Sequence, residues 1–275
     1  MLKKLSLLFV GIALILPLYL SFSHTKAPVQ ASQPEINGRY GVVIDAATGE
    51  ILYDKNAKRQ APPASLTKLM TALLLLERVG EREEIVITQH AIDTESGAKQ
   101  VPLEAGERLR RNEALKLMLT ISVDSVAESV AEHISGSKKE FAHLMNQRAR
   151  ELGADTLTFY NASGSDALGH RASPYELALI ARELLKHPEA LDCMSRVTNT
   201  VQTSLHTREI TNSGRKDLKD DPLALGSKSG RTALADYTLI TVDEKQGKRV
   251  IVVIMKSERK TLYTDAAKLA AYALH

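Results

Sequence analysis

Residues 69–76 (Leu-Met-Thr-Ala-Leu-Leu-Leu-Leu) form a run that is apolar almost all round, headed by Pro63-Ala64-Ser65-Leu66-Thr67-Lys68. A helix with no polar face must be enclosed by other layers, so this segment has to lie deep in the fold. The pattern predicts a helix from Ser65 to about Val79, with Gly80 as its stop signal. Its entry is anomalous. Ser65 fits an ordinary N-cap, but a capping box wants Glu or Gln three residues on, and Lys68 stands there. A cation in the first turn opposes the helix dipole, and burying it costs free energy without compensation. That conflict points to chemistry rather than folding.

Around this helix the strand patterns cluster at the two ends of the chain. Residues 40–44 and 50–53 flank the turn 46–49 as a hairpin, and 84–87 reads as another short strand. Residues 95–107, with Gly97, Pro102 and Gly106, read as a surface excursion. Helical spacing then runs from Asn112 to Ile121 and resumes from Val126 to Ile134. Between them lies 122–125, Ser-Val-Asp-Ser, which as a plain break would leave Asp124 to cap the second helix. Further helices are predicted over 138–152, ending at Gly153, and from Ser173-Pro174 with Glu176 to near His187-Pro188. Residues 190–221 look less regular. Strands follow over 237–242 and 250–255, and a helix over 262–274 places Leu262, Ala266, Leu269 and Tyr272 on one face. The expected fold class is therefore α/β of the α+β type: an antiparallel sheet built from both chain ends, with flanking terminal helices and an inserted helical lobe.

The first 31 residues carry Lys3 and Lys4, an apolar run over 5–22 and a small-residue site at Val29-Gln30-Ala31, as secretory signals do. The run is long for a signal, so an uncleaved N-terminal membrane anchor is the alternative. The expected organisation is 1–31 as signal or anchor, 32–38 as linker and 39–275 as one catalytic domain, with no C-terminal β domain. The leader holds Lys3, Lys4 and Lys26 and no acid, so 33 of the 36 basic residues are left to balance 33 acids. A neutral domain with 4% aromatics and no basic block lacks a nucleic-acid footprint. The single cysteine, Cys193, reads as a small buried residue, and the eight scattered histidines give no zinc spacing. No metal or cofactor is expected.

Three short elements occur in order: Ser65-x-x-Lys68, Ser122-x-Asp124 and Lys228-Ser229-Gly230. Singly each is commonplace. Together they resemble the S-x-x-K, S-x-N and K-T-G elements of penicillin-recognising serine enzymes. The stretches 44–49, 64–71 and 145–153 are especially similar to the low-molecular-mass D-alanyl-D-alanine carboxypeptidases, and the likeness covers most of the chain beyond the leader. The resemblance implies a penicillin-binding/β-lactamase-like fold, peptidoglycan stem peptides as substrate and β-lactam antibiotics as covalent inhibitors. It implies an exported, extracytoplasmic protein.

By the same resemblance Ser65 is the nucleophile that forms an acyl-enzyme. Lys68, one turn along, reaches its hydroxyl. Burial, the positive helix end and the second cation Lys228 are expected to favour a neutral amine that acts as base. Ser122 relays a proton to the departing D-alanine. The oxyanion hole falls to the backbone N–H groups of Ser65 and Arg231. Lys228, Ser229 and Thr232 cradle the substrate carboxylate beside Gly230, and the Arg231 side chain is either an added contact or a solvent-exposed cation. Two positions depart from the family pattern. Ser229 keeps the hydroxyl of threonine, whereas Asp124 replaces an amide with a carboxylate that only accepts hydrogen bonds. Within about 4 to 6 Å of Lys68 it would hold the charged amine and slow acylation at neutral pH. Faster labelling by penicillin at higher pH, and in Asp124→Asn, is the expected signature. Endopeptidase action on D-Ala crosslinks and a weakly active or non-catalytic peptidoglycan-binding protein are the alternatives. A β-lactamase fits less well, because no acidic residue stands in a matching helical-loop motif.

Overall fold

A computed structural model describes residues 33–94 and 101–275. The leader over 1–31 and residues 95–100 of the expected surface excursion lie outside the described residues. The strands are β1 (Tyr40–Asp45), β2 (Ile51–Lys55), β3 (Glu84–Val86), β4 (Arg108–Arg110), β5 (Thr198–Gln202), β6 (Thr207–Thr211), β7 (Ala224–Thr232), β8 (Asp236–Lys245) and β9 (Lys248–Ser257). The helices are α1 (Lys68–Arg78), α2 (Gln89–Asp93), α3 (Arg111–Lys116), α4 (Asp124–Ser135), α5 (Lys138–Glu151), α6 (Pro174–Leu184), α7 (Pro188–Ser195), α8 (Ser213–Asp217) and α9 (Arg259–Ala273).

The main sheet has the order β2-β1-β9-β8-β7, all neighbours antiparallel, so its centre joins the first strand described to the last. Period-two alternation decides what each face buries. Val43, Val250, Val252 and Ile254 turn toward α9, where they pack with Leu262, Ala266 and Leu269. Val42, Ile44, Ile251 and Val253 turn the other way and join one continuous core with the leucines of α1 and with α4, α5 and α6. The apolar run lies in that core as expected, with Leu69 to Leu75 fully buried.

Residues 33–38, expected as a linker, lie along the sheet. Ile36 is buried, its carbonyl accepts from Lys55 Nζ at 2.6 Å, and the Asn37 amide donates to Asp265 Oδ2 at 2.8 Å. The less regular stretch 190–221 contains the end of α7, the separate hairpin β5–β6 and α8. Lys228, Ser229 and Gly230 lie within β7, at the edge of the main sheet.

Candidate active site

Ser65 is not a cap. The α-helix begins three residues later, and Ala64–Thr67 form a separate 3-10 turn in which neither Pro63 nor Thr67 makes a side-chain capping bond. Ala64 holds φ +51°, a left-handed conformation that costs an alanine about 1–2 kcal/mol and needs support from its surroundings. That support comes from β8, where Thr238 Oγ1 donates to the Pro63 carbonyl at 3.2 Å, and from two glycines. A Cβ on Gly164 would lie 1.9 Å from the Ala64 carbonyl oxygen, and one on Gly230 would lie 2.8 Å from the Ser65 amide nitrogen. Only glycine permits either approach. The turn therefore presents the Ser65 side chain, half-buried, against the edge strand β7.

Lys68 has no solvent exposure. Its Nζ donates to Ser65 Oγ at 3.3 Å, to Asp124 Oδ1 at 2.6 Å and to the Ser163 carbonyl at 2.8 Å. The buried amine is thus compensated by a carboxylate and a carbonyl, which answers the anomaly at the helix entry. The Ser163 carbonyl is aimed by its loop. Asn161 Oδ1 accepts from the Gly164 amide at 2.7 Å, Glu128 Oε1 accepts from the Ser163 amide at 3.2 Å, and Thr71 Oγ1 donates to the Ala162 carbonyl at 2.7 Å.

The second element comes from a break between helices. After α3 the chain makes a single π turn over Leu117–Ile121 and leaves it at Ser122, which has φ +68°. Asp124 then opens α4, and its carboxylate pairs with Lys68. Ser122 Oγ accepts from Lys228 Nζ at 2.9 Å, and Lys228 Nζ also donates to the Ser229 carbonyl at 2.6 Å. Burial holds the Lys228 amine well below its ordinary range; the neighbouring Lys68 adds to this and Asp124 opposes it.

These groups border an open cleft of about 830 Å³ lined by Ser65, Ser122, Asp124, Lys228, Ser229, Gly230, Arg231 and Thr232. Every residue singled out in the sequence lies here, with Lys68 behind Ser65. Arg231 is exposed, its guanidinium 5.4 Å from the centre of the Tyr237 ring, and Thr232 Oγ1 accepts from the Ala235 amide at 3.0 Å. Sequence reasoning missed the Ser163 carbonyl and, among other lining residues, Tyr237, Arg259 and Tyr263. Burial pushes the Tyr263 phenol up, while a hydrogen bond with the Ser229 hydroxyl works against it. Among the described residues no group of three or more His, Cys, Asp or Glu is placed to hold a metal.

A profile described as D-alanyl-D-alanine carboxypeptidase matches residues 27–259. The chain is 32% identical to the D-alanyl-D-alanine carboxypeptidase DacF of Bacillus subtilis over 262 residues, which is 92% of this chain and 65% of that protein. It thus spans a little under two thirds of that relative's length. It is 26% identical to a D-alanyl-D-alanine endopeptidase of Escherichia coli over 253 residues, 90% of this chain and 81% of that protein. Among solved structures, a D-alanyl-D-alanine carboxypeptidase of Mycobacterium tuberculosis superposes with a TM-score of 0.81 at 22% identity, covering 89% of this chain and 94% of that one. A mutant Streptomyces DD-transpeptidase superposes with a TM-score of 0.82 at 23% identity, covering 88% and 99%. At these identities the structures speak for the fold alone, which is that of the penicillin-binding DD-peptidases.

Proposed function

The chain belongs to the D-alanyl-D-alanine carboxypeptidase family of serine peptidases, and from that premise we propose that it removes the terminal D-alanine of peptidoglycan stem peptides through an acyl-enzyme on Ser65. The observation that carries this reading is the contact of Lys68 Nζ with Ser65 Oγ at 3.3 Å, in a site where the amine is otherwise fixed by Asp124 and the Ser163 carbonyl. Lys68 is the base that takes the Ser65 proton, and forming an acyl intermediate splits peptide cleavage into two easier steps. Ser122, linked to Lys228 at 2.9 Å, returns a proton to the departing amine. The amides of Ser65 and Arg231 receive the oxyanion. The nearness of Gly230 to the Ser65 amide supports this, since it leaves no side chain in the way. Lys228, Ser229 and Thr232 hold the substrate carboxylate, with Arg231 at the rim.

The ammonium–carboxylate pair at 2.6 Å argues for slow acylation, because the amine must lose its proton before it can take one from Ser65. β-Lactams are the expected covalent inhibitors. Peptidoglycan as substrate requires action outside the cytoplasm, and residues 1–31 serve as the export signal, with 5–22 as an anchor where cleavage fails. No described helix is long and apolar enough to cross a membrane. The second reading, endopeptidase action on D-Ala crosslinks, is favoured by the 81% of the E. coli endopeptidase that the chain spans. Incubation with a pentapeptide ending in D-Ala-D-Ala, and separately with crosslinked sacculi, tests both. Release of free D-alanine that disappears in Ser65→Ala supports the carboxypeptidase. Cleaved crosslinks without free D-alanine would overturn it in favour of the endopeptidase.

A further inference from the structure

We propose that Asp124 is the general base that clears the acyl-enzyme, so that the carboxylate which slows the first half of the reaction drives the second. This rests on the reading of Ser65 as nucleophile and adds a catalytic role to a residue the family pattern gives as an amide. An amide is no base at any ordinary pH, whereas an ionised carboxylate accepts protons.

Three observations converge on Asp124. It lines the cleft together with Ser65, and its side chain keeps 11% of its surface exposed there. It is joined at 2.6 Å to the same amine that lies 3.3 Å from Ser65 Oγ. The other nearby carboxylates are placed differently. Glu128, one turn along α4, is buried beneath the Ser163 amide and does not line the cleft. Asp166 does line it, but is exposed, with Oδ2 accepting from the Leu234 amide at 3.1 Å.

The charged pair is the competent form for hydrolysis. Asp124 takes a proton from a water as the water oxygen bonds to the acyl carbonyl carbon. The bond between that carbon and Ser65 Oγ then breaks, and Oγ takes a proton from the Lys68 ammonium. The proton now on Asp124 crosses to the neutral Lys68 amine and restores the pair. One water is consumed, the peptide leaves as its carboxylic acid, and Ser65 regains its hydroxyl. Transfer to a second peptide amine is the reverse of acylation and gives up its proton through Ser122, so Asp124 serves the hydrolytic branch.

The test separates the two half-reactions in the full chain. Fluorescent penicillin is allowed to label Ser65, an excess of unlabelled penicillin is added, and the decay of label is followed. Asp124→Asn is expected to label faster and to lose its label about 100-fold more slowly, the scale of a removed general base. Asp166→Asn is expected to decay as the parent does. Formate added to Asp124→Ala is expected to restore decay by supplying the missing carboxylate, which keeps the proposal testable where the asparagine variant does not fold. Equal decay in the parent and Asp124→Asn, or slowing in Asp166→Asn instead, overturns this inference and leaves the nucleophile intact. Absence of label on Ser65 in every protein overturns the nucleophile and this inference with it.

Discussion

Gly164 carries more of the site than its lack of a side chain suggests. Its φ is +87°, and an added Cβ would meet the Ala64 carbonyl oxygen at 1.9 Å and the carbonyl carbon at 2.5 Å. Both are backbone atoms of the turn that sets Ser65, and Ala64 is itself left-handed, so neither partner can yield without moving the nucleophile. Gly164→Ala should therefore cost about 3 kcal/mol, the sum of a left-handed alanine and an overpacked contact. Gly153 is the control, because its φ is +78° but nothing lies within 4 Å of its would-be Cβ. Gly153→Ala should cost only about 1 kcal/mol and leave penicillin labelling unchanged, whereas Gly164→Ala should lose the label as well. Urea midpoints read beside labelling decide this, and equal stability of the two variants would remove the argument from close approach.

The start of α6 shows how a local signal in the sequence can understate what an element does. Ser173-Pro174 with Glu176 reads as a helix start, and the structure contains the full capping box. Yet the Glu176 carboxylate also accepts from the amides of Thr156 at 2.9 Å and Leu157 at 2.8 Å and from Gln60 Nε2 at 2.6 Å, tying the helix to two loops. Burial pushes this carboxyl up, but the bonds from Ser173, Gln60 and Thr156 outweigh it and leave it below its ordinary value. Its stabilising effect is present at neutral pH and fades as acid protonates it. Glu176→Ala should cost about 3 kcal/mol at pH 7, because buried donors lose a charged acceptor. Ser137→Ala, at the exposed cap of α5, should cost about 1 kcal/mol, and thermal unfolding of the pair checks the contrast. The cap of α6, the β1–β2 hairpin and the buried α1 were legible because each is written in neighbouring residues. The β5–β6 hairpin was not, because Asn199 occupies an inward position where its Nδ2 donates to Thr120 Oγ1 at 3.0 Å, and a polar residue there breaks the alternation. At the site, side chains carried in motifs were readable. The Ser163 carbonyl was invisible because any residue supplies one, and Arg259 and Tyr263 arrive with α9, where no motif marks them.

Across the whole molecule, two buried groups far apart in sequence pull the pH dependence of stability in opposite directions. His170 is buried, with Nδ1 accepting from the Tyr160 amide at 3.2 Å, so the neutral ring carries its hydrogen on Nε2, 2.9 Å from Thr67 Oγ1. Burial, aided by Lys138 and opposed by Asp166, lowers its pKa to about 4. The unfolded chain thus binds this proton first, and stability falls as the pH drops from about 6.5 to about 4. Asp243 behaves in reverse. Burial raises its pKa to about 7, with Asp221 adding to the rise and Thr241 and Arg215 working against it. The folded state binds that proton first, so stability falls as the pH climbs from about 4 through 7. Asp243→Asn keeps the shape of the protonated acid and cannot ionise, so it should stay free of the alkaline loss. The stability of this variant minus that of the parent should rise by about 4 kcal/mol between pH 4 and pH 8, a difference in which His170 and the other titrating groups cancel. With the opposing group gone, the acid limb set by His170 should also steepen between pH 6.5 and pH 4. Urea midpoints of both proteins at pH 4, 6.5 and 8 measure the difference, and parallel curves would mean that Asp243 ionises in the folded protein as it does in the unfolded chain.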